Sequence, residues 1–203
     1  SLLDSIKVNL SLCIDLDLSN NHQYGFASSE TEKTDIRRIF SAVASHNQMH
    51  GFTFNQSSLG DQGMQIALEC LSCVDNDLSH LKHLSLDANL PSSIKSTERT
   101  LTAKKLGQFM LCCELDSLSL KGDPLSDRVF GKPLGDAFPV LLGGACALRV
   151  LHLDNNHGKD QLAHSLSSVL TASSSTKCFK NLQELSVDNN QFSFHGYQLL
   201  LNG

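Results

Sequence analysis

A block of the form L-x-x-L-x-L-x-x-N recurs six times along the chain, and no other feature constrains its fold as strongly. The copies are Cys13, Leu16, Leu18, Asn21; Met49, Phe52, Phe54, Ser57; Leu81, Leu84, Leu86, Asn89; Leu115, Leu118, Leu120, Asp123; Leu148, Leu151, Leu153, Asn156; and Leu182, Leu185, Val187, Asn190. The second copy departs most from the pattern. The third apolar positions, Leu18, Phe54, Leu86, Leu120, Leu153 and Val187, lie 32 to 36 residues apart, slightly more than is usual for such a block.

Within x-L-x-L the apolar residues alternate, which is the period of a strand with one buried face. The polar residue closing each block is Asn in four copies, Asp123 and Ser57 in the others. A side chain of this kind can bond backbone groups that a turning chain leaves unpaired, and stacked copies would form a ladder. Between blocks the apolar period lengthens to about 3.6, as expected where a strand is followed by a returning helix. Ile36, Ile39, Phe40 and Val43 share one helical face, as do Met64, Ala67, Leu68 and Leu71. Leu134, Phe138, Leu141 and Leu142 make a third face, and Leu162, Leu166, Val169 and Leu170 a fourth. A less regular fifth runs through Leu101, Leu106, Phe109 and Met110. Thr34, Asp61 and Asp160 stand near helix starts, where side-chain oxygens cap free amides. A short apolar helix is expected to begin near His195.

These observations predict an α/β chain of about six strand–helix units stacked into a solenoid, with a parallel sheet lining the concave side and helices on the convex side. Residues 1–12 form a lead or cap, and 13–203 form one domain with units starting near 13, 49, 81, 115, 148 and 182. The alternation of a strand with a full helix resembles the ribonuclease-inhibitor-like class of leucine-rich repeats. Leu59-Gly60-Asp61-Gln62-Gly63 and the run from Leu134-Gly135-Asp136 to Leu141-Leu142 are similar to that class's wording at the start of a helix. The irregular unit length and the Ser/Asn-rich loops also resemble bacterial members, including GALA-type proteins that bacteria deliver into host cells. GALA proteins of plant pathogens carry an F-box ahead of their repeats. The twelve residues before Cys13 leave no room for one, so a ubiquitin-ligase adaptor is not expected. The resemblance implies a fold that acts by binding protein, and in one form blocks an enzyme by covering its active site.

Register assigns three outward columns. The first is Asp15, Gly51, His83, Ser117, Val150 and Glu184; the middle is Asp17, Thr53, Ser85, Ser119, His152 and Ser186; the third is Ser19, Asn55, Asp87, Lys121, Asp154 and Asp188. Six carboxylates (Asp15, Asp17, Asp87, Asp154, Glu184, Asp188) stand against the single Lys121. A surface of one sign accelerates encounter with an oppositely charged partner and makes association sensitive to salt. The competing reading is that these acids keep an exposed sheet hydrated. Affinity usually comes from aromatic or arginine anchors, which these columns lack. Tyr24, in the long Asn20–Lys33 insertion, and Phe192, after the last block, are the candidate anchors, while Phe26, Phe194 and Tyr197 are read as packing beneath their loops or closing the core.

A net charge of −5 argues against nucleic acid as a partner, because that affinity rests on clustered Lys and Arg. No apolar run approaches the roughly 20 residues of a membrane-spanning helix. Seven cysteines, including the neighbours Cys112 and Cys113 and a single Cys70-x-x-Cys73, read as reduced thiols of a cytosol rather than a disulfide framework. The resemblance adds delivery into a host cytoplasm. A structural zinc site needs four ligands at recognisable spacing, and Cys70-x-x-Cys73 has no matching second pair, so no metal is expected. His83 and His152 face out of the sheet, away from most cysteines, and no phosphate-binding glycine loop is present, so neither catalytic residues nor a cofactor are expected. His152 with Asp154, and His83 with Asp87, are possible hydrogen-bonded pairs. The expectation is a non-enzymatic binding module, monomeric and engaging one protein with a basic surface, in its sharper form an enzyme that it inhibits or regulates. The alternative is a target-recognition part of a larger protein whose catalytic or signalling domain lies elsewhere.

Overall fold

A computed structural model describes residues 14–21, 27–72, 80–90, 96–112, 114–122, 147–172 and 181–202. Six three-residue strands, β1 (Asp15–Asp17), β2 (Gly51–Thr53), β3 (His83–Ser85), β4 (Ser117–Ser119), β5 (Val150–His152) and β6 (Glu184–Ser186), form one all-parallel sheet in sequence order. Among the described residues five helices lie between or after them: α1 (Glu30–Ala44), α2 (Gly60–Leu71), α3 (Ser96–Cys112), α4 (Lys159–Ala172) and α5 (Phe194–Leu201). Parallel neighbours require long return connections, and the described helices supply them between β1 and β2, β2 and β3, β3 and β4, and β5 and β6. Each strand pairs with the next so that Leu16, Phe52, Leu84, Leu118, Leu151 and Leu185 stand in one inward row.

The core lies under this row. The inward apolar residues of the middle four blocks (Met49, Phe52, Phe54; Leu81, Leu84, Leu86; Leu115, Leu118, Leu120; Leu148, Leu151, Leu153) are all buried. Those at the two ends, Leu16, Leu18, Leu182, Leu185 and Val187, are only partly covered, because among the described residues each has a neighbouring strand on one side alone. Helices α1 and α2 close the core with the faces expected of them: Ile36, Ile39, Phe40 and Val43, then Met64, Ala67, Leu68 and Leu71. Leu162 and Leu166 of α4 are buried, whereas Leu170 is half-covered. Helix α1 packs on α2, α2 on α3, and α4 on α5.

Four expectations about helices need correction. Helix α1 begins ahead of Thr34, because Ser29 and Glu32 form a capping box: the Ser29 hydroxyl accepts from the Glu32 amide (3.2 Å) and the Glu32 carboxylate accepts from the Ser29 amide (2.9 Å). Thr34 lies inside the helix and donates to the Glu30 carbonyl. Neither Asp61 nor Asp160 caps its own helix. Asp61 is buried and accepts the Thr102 hydroxyl of α3 at 2.9 Å, while Asp160 accepts the amide (2.8 Å) and hydroxyl (2.5 Å) of Ser193, the residue that caps α5. Leu101 of α3 is exposed; the buried row there is Thr102, Leu106 and Phe109. A threonine takes a core-facing place because Asp61 meets its hydroxyl, which an apolar count cannot register.

The third apolar face (Leu134, Phe138, Leu141, Leu142), Gly143-Gly144, Asp123, and Cys13, Cys73, Cys113, Cys146 and Cys178 lie outside the described residues, as do the side chains of Met110, Cys112 and Val169. No described helix is long and apolar enough to cross a membrane.

Candidate functional site

The outward side chains of the first two columns come from the strands. Asp15, Gly51, His83, Ser117, Val150 and Glu184 align in one row, and Asp17, Thr53, Ser85, Ser119, His152 and Ser186 in the next. The third column, Ser19, Asn55, Asp87, Lys121, Asp154 and Asp188, is not part of the strands. These residues begin the turns that follow them. The residue after each, Asn20, Gln56, Ala88, Gly122, Asn155 and Asn189, has φ between 51° and 69°, the left-handed region. That conformation aims its amide at the next unit: Asn20, Gln56, Ala88, Gly122 and Asn155 donate to the carbonyls of Asn55, Asp87, Lys121, Asp154 and Asp188 at 2.7–2.8 Å. Five aligned bonds of this kind hold the turns in register along the sheet.

Two side-chain ladders flank these turns. The first is the expected asparagine ladder. Asn89 Oδ1 accepts the Ser57 amide (3.0 Å) and its Nδ2 donates to the Phe54 carbonyl (2.6 Å). Asn190 does the same for the Asn156 amide (3.1 Å) and the Leu153 carbonyl (2.7 Å). Ser57 accepts the Asn21 amide at 3.3 Å with its hydroxyl, so the serine copy continues the row.

The second ladder runs through the third and middle columns. Asn55 Oδ1 accepts both the Ser85 hydroxyl (2.9 Å) and the Asp87 amide (2.7 Å). Asp87 Oδ1 accepts the Ser119 hydroxyl and the Lys121 amide (both 2.7 Å), and Asp154 Oδ1 the Ser186 hydroxyl (2.6 Å) and the Asp188 amide (2.8 Å). Wherever Asn or Asp holds the third column after β2 to β5, the next strand carries Ser in the middle column. Where Lys121 holds it, the next strand carries His152, and Lys121 Nζ instead reaches Asp154 Oδ2 at 3.2 Å. That matching of columns was the signal available in the sequence.

Two carboxylates counted as recognition charges are therefore committed inside the fold. Burial pushes the Asp154 carboxyl up, but the Ser186 hydroxyl, the Asp188 amide and the Lys121 ammonium outweigh it and hold the group below the ordinary aspartate range. The folded state then resists protonation more than the unfolded chain does. The resulting stability is complete above the ordinary aspartate value, about 3.9, and is lost as pH falls through it to the lower folded value. Asp154→Asn keeps the Oδ1 acceptor and removes the titration. Its denaturant midpoint is expected to fall less than that of the parent between about pH 6 and pH 3; equal losses would contradict the assignment.

The acids left exposed are Asp15, Asp17, Glu184 and Asp188, at the two ends of the sheet, with His83 between them. The expected His152–Asp154 pair does not form: His152 Nε2 meets Glu184 Oε1 of the adjacent strand at 2.8 Å. Nor does His83 pair with Asp87, whose Oδ1 is held by Ser119 and Lys121. Tyr24 and Phe26 lie outside the described residues. Phe192 is partly buried against the core, with its ring edge-on to Tyr197 (5.6 Å, 84°). Among the described residues the most exposed aromatic is Phe194, at 78%, and Tyr197 is 54% exposed, so neither packs under a loop as expected. Among the described residues no three His, Cys, Asp or Glu side chains gather as a metal site. Comparison with protein-family models and with curated proteins finds no match to the chain.

Proposed function

We propose that the chain is a leucine-rich-repeat solenoid of the ribonuclease-inhibitor-like class that acts without catalysis, by binding a protein across the outward face of its sheet. The observation that carries this reading is the alignment of six strands' outward side chains into columns whose middle row is mostly small and polar (Thr53, Ser85, Ser119, Ser186), leaving room for an inserted loop. The ladders give the face rigidity, so little ordering entropy opposes binding. The exposed acids Asp15, Asp17 and Glu184 set the sign of the partner as basic. His83 and the rim of Thr53 and Ser117 supply hydrogen bonds. In its sharper form the partner is an enzyme, of a host cell or produced alongside this protein, whose active site the face covers. The effector resemblance and the cysteine pattern favour a reducing cytoplasm for that encounter.

Capture by the chain, followed by mass spectrometry, tests this. A protein retained by the parent, released by salt, inhibited on reconstitution, and lost after combined Asp15→Lys, Asp17→Lys and Glu184→Lys substitution is the expected result. These positions are chosen because reversal at Asp87 or Asp154 would also break the hydroxyl ladder. Retention unchanged by the triple substitution would overturn the outward-face reading.

A further inference from the structure

The hydroxyl ladder gives the outward face a chemical polarity. Ser85 and Ser119 spend their hydroxyl protons inside the fold, on Asn55 Oδ1 (2.9 Å) and Asp87 Oδ1 (2.7 Å). A serine whose proton is committed offers a ligand lone pairs alone. The Asp87 carboxylate is likewise an acceptor only. It is half-buried, its Oδ1 is taken by the Ser119 hydroxyl and the Lys121 amide, and no described residue donates to its Oδ2. Asp154 differs, because Lys121 Nζ lies 3.2 Å from its second oxygen. Lys121 thus turns toward β5, and Asp87 keeps a carboxylate oxygen near the middle of the face with no cation on it among the described residues.

Around that oxygen the face is low. Strand β4 carries only serines outward, Ser117 and Ser119, while His83 stands beside Ser117 on β3, and Val150 and His152 stand beside the two serines on β5. Strands β3 and β5 are two strand spacings apart, about 9–10 Å. A planar group touching a side chain on each needs two contacts of about 3.5–4 Å, so this trough admits one such group. His83 is exposed, and its ring has no partner among the described residues. His152 is partly exposed, with its Nε2 on Glu184 Oε1 at 2.8 Å. It stands where the ladder is interrupted, an imidazole in the place that serine takes on β3, β4 and β6. Val150 is the one apolar side chain in the two strand rows.

We infer that the trough over Ser117 and Ser119, between His83 and His152, receives an arginine side chain of the partner protein. This deepens the outward-face reading and rests on it. A guanidinium is planar, so it stacks on an imidazole, and it carries five donors and no acceptor. Those donors match the acceptors present: Asp87 Oδ2 and the Ser119 oxygen, with the Ser117 hydroxyl beside them. Its charge supplies the cation that Asp87 lacks, in the charge-assisted geometry that carboxylates bind best. Its methylene stem packs on Val150.

Other side chains meet the trough less well. Lysine brings the charge but neither a plane to stack nor a fork of donors. A carboxylate or phosphate brings acceptors to a surface of acceptors and like charge to Asp87, so the site selects against it. An uncharged aromatic ring fills the space and leaves Asp87 Oδ2 without a cation.

The probe is a capped Gly-Arg-Gly tripeptide, titrated into the full chain at low salt. It is expected to shift the amide resonances of Ser117 and Ser119 and the ring resonances of His83 and His152 on one saturable curve. The expected dissociation constant is roughly 1–30 mM, the range open to one small side chain. The same tripeptide with lysine, or with citrulline, which keeps the planar shape without the charge, is expected to bind about five-fold more weakly or less. Asp87→Asn keeps the Oδ1 acceptor, as Asn55 does at the equivalent place, and removes the charge; it is expected to weaken the arginine peptide about five-fold or more. Ser117→Leu fills the floor of the trough without touching the ladder and is expected to abolish the shifts, which keeps the test open if Asp87→Asn fails to fold. Absence of saturable shifts in that range overturns the inference. So does equal affinity for the citrulline or lysine peptide, or binding unchanged by either substitution. None of these readouts needs the partner protein, so their failure overturns the arginine site alone, while capture dependent on Asp15, Asp17 and Glu184 still decides the outward-face reading.

Discussion

Replacing Asn89 with alanine is expected to destabilise the chain by roughly 2–5 kcal/mol, because it removes several buried side-chain-to-backbone bonds at once. Asn89 is 1% exposed. Its Oδ1 is the acceptor of the Ser57 amide, and its Nδ2 donates to the carbonyls of Phe54 (2.6 Å) and Leu86 (2.9 Å). Alanine removes all three bonds in a space that excludes water, and a buried group that loses its bond costs about 1–3 kcal/mol, with some relief from relaxation. Asn21, at the first strand, is the contrasting case. It is half-exposed, its Nδ2 donates to the Leu18 carbonyl at 2.6 Å, and no described strand precedes it. Asn21→Ala is expected to cost about 1 kcal/mol. Urea denaturation of both variants with unchanged slope measures the difference; equal costs would show that the ladder does not gain its strength from burial.

Phe40→Ala is expected to cost about 3–5 kcal/mol, through lost transfer energy and the cavity left behind. Phe40 projects from α1 into the gap between helix and sheet, where its ring meets Phe52 (5.4 Å, 87°) and Phe54 (5.4 Å, 63°) edge-on. Phe52 and Phe54 occupy places that are leucine in most other blocks, so this one aromatic cluster fills volume that the smaller residues fill elsewhere. Edge-to-face pairs add about 0.5–1.5 kcal/mol beyond the area they bury. Phe40→Leu restores most of the volume without the ring geometry and is expected to cost less than half as much. A thermal midpoint unchanged by Phe40→Ala would contradict the packing described.

Much of this was legible in the residues themselves. The alternation in x-L-x-L separated inward from outward positions correctly even at Met49, Phe52 and Phe54, because a period of two survives the exchange of Leu for Phe. The faces of α1 and α2 followed from apolar spacing for the same reason. Leu101 failed where the core-facing row includes Thr102, a polar residue whose burial depends on Asp61 some forty residues earlier. Thr34 failed because a cap is decided by which hydroxyl and carboxylate can bond reciprocally, and Ser29 with Glu32 does so one turn sooner. The candidate site was legible as positions but not as free charge. Asp87 and Asp154 look like recognition acids in one dimension, whereas the adjacent strand engages them through Ser119, Lys121 and Ser186.

The amino-acid sequence alone determined the period, the inward rows and the asparagine ladder. All three are properties of one unit or of identical units stacked in register, and local spacing carries them. Only the tertiary structure decided which polar groups remain available. That depends on pairs 30 to 37 residues apart, such as Ser85 with Asn55 and Asn190 with Leu153, whose bonds form only once neighbouring strands are side by side.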